Sequence, residues 1–582
     1  MQRNKTTILG IVGCGPRGLA ALELFVKHAI EYSSSASFKI LIFEKSEYLG
    51  AGQVWHLEQP DANWLNIDHE SLKTLPGREE LQHDEFVIPA FPGFNEWKKQ
   101  KDSGTDQDED RYKFYYRSVM GSYLYQRCIS IVKVLEAYGF ACIFYTEVIQ
   151  LIQKDTQIII IDKLAQKYEV DECLLTIGHQ STQPSAQIIK WKQKAEENQL
   201  RLELNPYDLE LKSRLGNCTK LAIRGFGLAA IDLIRLFITE EDGVFNKNED
   251  SIFLTFIPKT KSKKSIIPFS LDGLPPVPKP LGALVDAKFD PGTKVIKNFE
   301  NEVTSCIKDP ERINSSLFLI ELVAKIVSTN FFKSPKGFQA HDLDQRQLQK
   351  VVIAWLQDMT FKHPLILDTT QPINEYMKII SQMAFGHLPA SLDYTIGQVW
   401  RHLQPSLYKI LSHSALDNEV IEEIIQLDER TKRYSYGPPV TSILQIIALA
   451  DQNIINLHFT KDPTIAAQKS GWQLQNKKEE NITADVLIDS VLDAPKLKNI
   501  NSELIKNLLH DDLLQPVTND LGVETYEDGV IKYVNNSHKS TICMLGRNCK
   551  GSVIGVDAIL ECFGQRIEQW ARACSSRMFD HK

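Results

Sequence analysis

One stretch near the start of the sequence, Thr7–Glu44, constrains the fold more than any other. It begins with an apolar run, Ile8–Val12, of the length expected for a strand buried on both faces. A G-x-G-x-x-G motif follows at Gly13–Gly18, then a helix-favouring segment, and then a second apolar run, Phe38–Phe43. This order of strand, glycine turn, helix and strand predicts a dinucleotide-binding Rossmann unit.

The glycines and the acidic residue of this unit predict separate roles. Gly13 permits the tight turn, Gly15 lets the backbone approach a diphosphate, and Gly18 lets the helix pack closely on the sheet. Free N–H groups at the helix start would bind the diphosphate, and Glu44 would accept a hydrogen bond from a ribose hydroxyl. Glu44 follows Gly18 by 26 residues, against about 20 in the usual motif, and the loop Ser33–Ser37 accounts for the difference.

Bulk properties exclude several classes of protein. The 582 residues suggest two to four domains, and a net charge of −8 gives no reason to expect nucleic acid as a partner. No apolar run approaches the roughly 20 residues that span a bilayer. The ten cysteines are scattered without a C-x-x-C pair, which favours a reducing cytoplasm and disfavours a metal site. A signal peptide built on Ile8–Val12 is disfavoured because glycines and Glu23 follow without a small-residue cleavage site.

A second glycine element begins at Lys220. Its motif residues are Gly225, Gly227 and Ala230, again between an apolar strand and a helix, so the sequence predicts a nicotinamide dinucleotide site. The next apolar run, 252–257, leads into four lysines within 259–264. These lysines stand where the 2′-phosphate of NADPH would be bound, and a solvated basic loop explains them equally well.

Three other segments predict further contacts with the first cofactor. Small residues stand in a row at Gly50–Gly52, and an apolar strand ends at Gly178–His179. Near the end of the chain, a strand over 540–545 runs into Gly546, and a helix follows. The first and last segments would then share one domain. Between them, 290–427 carries apolar residues at three- and four-residue spacing, which predicts packing helices that form a lid or wall over the substrate.

Several of these pieces resemble one family of FAD/NAD(P)-binding flavoproteins, which includes the FAD-dependent urate hydroxylase and the aspartate N-hydroxylase that makes nitrosuccinate. The resemblance rests on Ile11–Ala21, Gly50–Gly52, Arg117 with the Gly-x-Tyr-Leu that follows, and Gly225–Asp232. It implies FAD at the first glycine motif and NADPH or NADH at the second. The predicted cofactor-binding residues are Gly13, Gly15, Pro16, Arg17, Gly18, Glu44, Lys45, Gly52, Arg117, Gly178, Gly225, Gly227 and Asp557.

The predicted fold class is α/β, with two Rossmann-like dinucleotide-binding domains, the FAD domain being discontinuous in sequence, and a helical insertion. The predicted boundaries are 1–185 for the first part of the FAD domain, 186–290 for the NAD(P)-binding-like domain, 291–480 for the mainly helical region and 481–582 for the closing part of the FAD domain.

The leading functional hypothesis is a cytoplasmic NAD(P)H-dependent flavin monooxygenase that hydroxylates a small polar molecule. Two alternatives stay open: a flavin dehydrogenase or oxidase that does not use NAD(P)H, and a non-catalytic FAD-binding sensor or partner protein. No catalytic residue is assigned. His56, His179 and Arg547 are candidates because they lie near predicted cofactor segments. Substrate identity and oligomeric state stay undetermined.

Overall fold

The computed structural model describes residues 6–101, 113–259, 264–333, 342–533 and 541–580. Its first 175 residues hold eleven strands and four helices among those described. They are β1 Thr7–Val12, α1 Pro16–Tyr32, β2 Phe38–Phe43, β3 Trp64–Asp68, α2 His69–Leu72, β4 Leu81–Gln82, β5 Val87–Ile88, α3 Phe94–Lys101, β6 Phe114–Tyr116, α4 Arg117–Ala137, β7 Ala141–Phe144, β8 Val148–Gln153, β9 Ile158–Asp162, β10 Lys167–Val170 and β11 Glu172–Leu175.

The chain continues through a second α/β segment and a helical segment. The α/β segment consists of α5 Ala186–Asn198, β12 Arg201–Glu203, α6 Leu211–Leu215, β13 Lys220–Arg224, α7 Leu228–Phe237, β14 Gly243–Asn248, β15 Ser251–Pro258 and β16 Ser265–Phe269. The helical segment consists of α8 Ala283–Asp286, α9 Thr293–Ile307, α10 Leu317–Phe332, α11 Gln345–Gln357, α12 Ile373–Ala384, α13 Leu392–Leu411, α14 Asn418–Ser435 and α15 Val440–Asp451.

The last segment returns to strands. Its elements are β17 Thr464–Gln468, β18 Gly471–Gln475, β19 Asn481–Ala484, β20 Val486–Asp489, α16 Glu503–His510, β21 Thr541–Met544 and α17 Gln565–Phe579. Short 3₁₀ turns lie at Pro310–Arg312, Leu497–Asn499, Arg547–Cys549 and Leu560–Phe563.

The first domain is built on a five-stranded parallel sheet in the order β21-β11-β1-β2-β7. One face packs on α1, α4 and α17, and the other packs on the antiparallel sheet β8–β10 and on α16. Strand β21 pairs with β11 across more than 360 residues of sequence, with Glu172 opposite Thr541. The predicted sharing of one domain by the first and last segments is therefore confirmed.

The second domain has a four-stranded parallel sheet in the order β12-β20-β13-β16. Helices α7 and α15 cover one face, while α5 and the antiparallel sheet β17–β19 cover the other. Two sequence-based expectations are corrected here. Strand β20, in the segment 481–582 that was predicted to close the first domain, joins this sheet rather than the first. The run 252–257 lies in β15, which forms a two-stranded sheet with β14 in the described part of the chain, and β16 is the strand beside β13.

The helical segment has its own apolar core, in which Trp355, Trp400 and Tyr394 are almost fully buried. The predicted fold class, two parallel-sheet dinucleotide domains with a helical insertion, is confirmed. Among the described residues, the search for a helix long and apolar enough to cross a bilayer finds none.

Candidate functional site

The first glycine turn requires glycine at two positions because of the protein's own packing. Gly13 has φ +89°, and a Cβ added there would lie 2.6 Å from the Thr176 carbonyl oxygen. A Cβ on Gly18 would lie 2.4 Å from the Gly13 carbonyl oxygen. The hydroxyl of Thr176, just beyond β11, donates to that same carbonyl and fixes the turn against the neighbouring strand. Both glycines therefore serve the turn itself.

Gly15 is different, because nothing in the protein crowds it. An added Cβ would be 3.6 Å from the Cα of Gly52, an ordinary contact, and φ is −79°. Helix α1 starts at this residue without a side-chain cap and without an acidic residue in its first turn. An uncapped helix start with a bare backbone beside it fits a diphosphate, since N–H groups and the helix dipole both favour an anion there.

Nine of the thirteen predicted residues line a single cleft above the carboxyl ends of β1, β2 and β11. These nine are Gly13, Gly15, Pro16, Arg17, Glu44, Lys45, Gly52, Gly178 and Asp557. Gly18 lies directly behind the turn. The cleft also collects residues from distant segments that the sequence did not single out, including Thr146–Val148 and Ser502. Thr146–Val148 follow β7 and Ser502 precedes α16, and neither segment carries a motif that the sequence alone would connect with the glycine turn.

Glu44 stands at the end of β2 beside the glycine turn. One carboxylate oxygen accepts from the Cys14 N–H at 2.8 Å, and the other accepts from the Ser46 N–H at 3.1 Å. The carboxylate is thereby fixed at the edge of the cleft, where each oxygen keeps a lone pair for a ribose hydroxyl. The position agrees with the role that the sequence predicts.

The other end of the cleft is closed by charged residues from three segments. Arg17 donates to the Val556 carbonyl. Asp557 is bound by Arg547 and, at 3.1 Å, by Lys432 of α14 in the helical segment. Burial alone would raise the pKa of Asp557, but the charges of Lys432 and Arg547 hold it well below its usual range. This carboxylate therefore links the cleft to the helical segment as a permanent anion.

Of the three residues proposed from their position alone, two line the cleft. Loss of solvation inside the cleft, together with the charges of Arg547 and Arg17, lowers the pKa of His179 to about 4, so its imidazole is neutral at pH 7. Arg547 is held by Asp557 and donates to the Asp493 carbonyl at 2.9 Å. His56 accepts from the Glu58 N–H and packs on Tyr48. His179 can accept a proton only at acidic pH.

The second glycine turn repeats the first at the carboxyl end of β13. Gly225 has φ +95°, and a Cβ added there would lie 2.7 Å from Ser490 Oγ. Gly227 has open space on every side, with no atom within 4 Å of an added Cβ. Helix α7 also starts without a side-chain cap and without an acidic residue in its first turn. The features that fit a diphosphate at the first turn are therefore present at the second.

The lysine-rich segment does not lie at this turn. Lys264 precedes β16, and the pairing of Ser265 with Lys220 places it at the amino end of the sheet, while Gly225 follows the carboxyl end. Lys264 is bonded to Asp242 at 2.7 Å. Residues 260–263 fall outside the described residues. The other described lysine of the run, Lys259, donates its N–H to the Asp242 carbonyl at 3.0 Å, so both described lysines lie on the opposite edge of the sheet from the second glycine turn.

Arg117 is not brought to the cleft. It begins α4 and forms a 2.9 Å ion pair with Asp232 of α7 in the second domain. Its guanidinium lies 4.7 Å from the ring centroid of Tyr207, whose hydroxyl donates to the same carboxylate at 3.1 Å. Arg235 completes the network at 3.3 Å from Asp232 and stacks over Trp64. The network joins the two dinucleotide domains, so Arg117 lies between them rather than at either turn.

One further cationic residue, Lys279, was not predicted from the sequence. Lys279 follows β16 and donates to the Asn66 carbonyl of β3 at 2.6 Å. Loss of solvation and the nearby charge of Arg401 lower the pKa of Lys279 to about 8, against opposing effects of Asp68 and Asp286. In the described part of the chain it forms no ion pair. A single lysine in a proline-rich linker carries no sequence signal, so only the fold identifies it.

Comparison with known proteins gives a family match for the N-terminal segment. Residues 10–180 match a family model described as FAD-NAD(P)-binding. The chain is also 24% identical, over 90% of its length and 83% of the relative, to the nitrosuccinic acid synthase npaA of Aspergillus oryzae.

Solved structures with a similar chain course have low sequence identity. L-lysine 6-monooxygenase from Pseudomonas syringae is 9% identical with a TM-score of 0.45, over 99% of this chain and 100% of that one. The protein OTEMO, solved in complex with FAD and NADP, is 11% identical with a TM-score of 0.44, over 100% of this chain and 86% of that one.

Proposed function

We propose that this chain, whose residues 10–180 match the FAD-NAD(P)-binding family model, is an NAD(P)H-dependent flavin monooxygenase that oxidises the nitrogen of a small acidic amino acid. The family match confirms the predicted cofactor class. The observation that carries the proposal is the pair of uncapped, acid-free helix starts, each behind a glycine turn, on two separate parallel sheets of one chain. One site suits FAD and the other a nicotinamide dinucleotide.

When bound, FAD supplies the redox chemistry: two electrons from NAD(P)H and one O₂ give a hydroxylated nitrogen, NAD(P)⁺ and one water. The chain supplies the binding and orientation. The start of α1 and the bare backbone of Gly15 would hold the diphosphate, and Glu44 would hold the ribose. Gly227 and the start of α7 would do the same for the reductant. The helical segment, tied to the cleft through Lys432 and Asp557, would keep bulk water out.

Lys279 supports a carboxylate as part of the substrate. Its ammonium has three N–H donors, and its hydrogen bond in the described structure goes to the Asn66 carbonyl. Arg401 lies close enough to lower the pKa of Lys279, and its own charge is matched by Asp286. Among the described residues no carboxylate forms an ion pair with Lys279, and a partly buried cation in that state favours an anionic ligand, because the ligand's charge offsets the cost of desolvation.

The curated relative supports the same substrate class. It is named as a synthase of nitrosuccinic acid, a dicarboxylic acid whose nitrogen is oxidised. Oxidation of an amino dicarboxylic acid at nitrogen would combine the cationic site at Lys279 with the flavin chemistry. We propose L-aspartate as the first compound to test, acted on by a cytoplasmic enzyme without a nucleic-acid partner.

The test begins with the purified, FAD-loaded chain under anaerobic conditions. Bleaching of the flavin bands by NADPH or NADH is expected, followed on admission of O₂ by hydroxylated product from aspartate but not from alanine. Flavin that stays oxidised with both reductants would favour the dehydrogenase, the oxidase or the non-catalytic binding protein. Reduction without hydroxylation of any acidic amino acid would reject the substrate assignment alone.

A lysine variant and a pH series test the substrate site. Because the folded pKa of Lys279 is about 8, binding of succinate as a substrate analogue should be constant below pH 8 and weaken about tenfold per pH unit above it. Lys279→Met should abolish this dependence. Lys308→Met, an exposed lysine of the helical segment, is the matched control and should leave it unchanged. An unchanged profile in Lys279→Met would contradict the assignment.

A further inference from the structure

The carboxyl end of α13 is fastened to the loop 551–557, whose last residues line the first cleft. The Ser552 carbonyl accepts from the His413 N–H at 2.8 Å, and the Ile554 N–H donates to Ser412 Oγ at 2.9 Å. Ser412 and His413 directly follow α13 in the chain. The helical segment therefore holds the backbone of this loop, in addition to the ion pair that it forms with the carboxylate at the loop's end.

An aromatic ring of α13 makes a further contact with the same loop. Gly555 has φ +78°, and a Cβ added there would lie 2.1 Å from Cδ2 of Tyr408. The loop backbone thus lies directly against the Tyr408 ring, with no space for a side chain between them. The position of the ring consequently limits how far the loop can move toward the helical segment.

The Tyr408 ring is itself fixed in the helical core. Its hydroxyl lies 3.3 Å from a carboxylate oxygen of Asp428 and 3.2 Å from the Tyr436 hydroxyl. Burial and the charge of Asp428 raise the pKa of Tyr408, so its hydroxyl stays protonated and donates to that carboxylate. Asp428 also accepts from Trp400 and from Gln404, each at 3.0 Å. The ring is therefore a firmly held surface against which the loop packs.

The loop connects this ring to the start of α1, where the diphosphate is proposed to bind. Val556 directly follows Gly555, and its carbonyl accepts from the guanidinium of Arg17. Arg17 belongs to the first turn of α1 and lines the cleft, and a guanidinium at a helix start suits a phosphate group. The place of the Val556 carbonyl thus determines the direction of the Arg17 side chain.

We propose that Tyr408 is a positioning residue for FAD: its ring places the Val556 carbonyl, and that carbonyl directs Arg17 toward the diphosphate. The inference rests on the FAD site of the proposed function. It gives the helical segment a role in cofactor binding, whereas the sequence predicts it only as a lid or wall over the substrate. Tyr408 itself does not line the described cleft, so its effect on FAD passes through the loop.

The test measures the FAD affinity of the full chain by flavin fluorescence, with thermal unfolding recorded for each variant. Tyr408→Leu removes the ring and should weaken FAD about tenfold, as expected when one charged contact with a phosphate is misdirected. Gly555→Ala pushes the loop off the ring and should weaken FAD similarly. Tyr408→Phe keeps the ring and should bind FAD within about twofold of the parent chain, although loss of the bond to Asp428 lowers its unfolding temperature.

Two further variants separate positioning from a general loss of stability. Tyr376→Leu removes a similarly buried tyrosine ring from the same helical core, and it should lower the unfolding temperature without changing FAD affinity. Arg17→Met should itself weaken FAD. In that background Tyr408→Leu should change FAD affinity by less than about twofold, because the side chain through which Tyr408 acts is already gone.

Three results would overturn the inference: unchanged FAD affinity in Gly555→Ala, equal weakening in Tyr376→Leu, or full additivity of Tyr408→Leu with Arg17→Met. Gly555→Ala decides the question if Tyr408→Leu does not fold, because its change lies on the loop rather than in the helical core. These affinities do not depend on turnover. A chain that shows the expected affinities but hydroxylates no acidic amino acid would support the inference and reject the substrate of the proposed function. A parent chain that binds no FAD would overturn both.

Discussion

The two glycine turns share one backbone conformation and differ at the third position of the motif. A Cβ on Gly18 would lie 2.4 Å from the Gly13 carbonyl, yet Ala230 carries a methyl group at the matching place in α7 and is fully buried. The second turn therefore has space for a methyl group between the glycine turn and the following helix, and the first turn does not. Both turns have the same backbone hydrogen bond to the adjacent strand, but the distance between the turn and the helix that follows it differs between the two domains.

The turns also differ in what faces the ligand. At the first, the Glu44 carboxylate, directly after β2, accepts from the Cys14 and Ser46 N–H groups; at the second, Ser270, directly after β16, donates its hydroxyl to the Asp272 carboxylate. The backbone conformation that fits a diphosphate therefore occurs twice, with a different side chain at the end of the adjacent strand. The predictions below test this division, from the largest expected effect to the smallest.

The ion pair between the two domains should carry the largest effect. Asp232→Ala removes the shared partner of Arg117 and Arg235, and stranding buried charges of this kind costs about 3–5 kcal/mol of unfolding free energy. Chemical denaturation would measure the loss. Glu197→Ala, which breaks an exposed pair with Lys194, is the control and should cause no measurable loss.

Arg117→Ala completes the comparison, because Arg117 was predicted from sequence to touch FAD. We expect a large loss of stability, strong non-additivity with Asp232→Ala, and no direct loss of FAD affinity in the folded fraction. Wild-type stability with weakened FAD binding would show that Arg117 serves the cofactor instead.

Exchange of the third motif residue should reveal the difference in helix fit. Gly18→Ala forces a methyl group against the Gly13 carbonyl and should cost about 2–3 kcal/mol of stability, as overpacking does. Ala230→Gly in α7 should cost only about 1 kcal/mol, the loss of helix propensity. Thermal unfolding of both variants measures the contrast. Equal costs would mean that the two helices fit their turns alike.

Sequence reading succeeded where local spacing determines structure and failed where distant segments meet. The strands, glycines and Glu44 of the first turn follow from a motif within forty residues. Strand β20 could not be assigned, because four apolar residues do not specify which sheet they join. Strand β16 was missed because it contains Pro268, which is tolerated here since β16 is at the end of its four-stranded sheet. Lys279 could not be singled out because its contact with Asn66 joins segments more than 200 residues apart.

Substitution of the uncrowded glycine in each turn should remove one cofactor at a time. Gly15→Ala and Gly227→Ala meet no close protein atom, so both variants should fold normally. We expect Gly15→Ala to weaken FAD about 100-fold and Gly227→Ala to weaken NADP⁺ about 100-fold with flavin retained. Flavin absorbance and nucleotide titration measure the two effects. Loss of both cofactors in either variant would contradict the independence of the sites.

The smallest effect concerns the residue that distinguishes the two turns. Glu44→Ser gives the first site the side chain of the second, and its hydroxyl is too short to keep the bonds to both Cys14 and Ser46 N–H. We expect FAD affinity to fall about tenfold, since one charge-assisted hydrogen bond to the ribose is lost. Glu44→Asp should lose less, because it keeps the charge. Flavin fluorescence during titration measures both affinities. If FAD bound equally well to Glu44→Ser, the carboxylate at the end of β2 would not hold the ribose, and the role predicted for Glu44 from the glycine motif would be wrong.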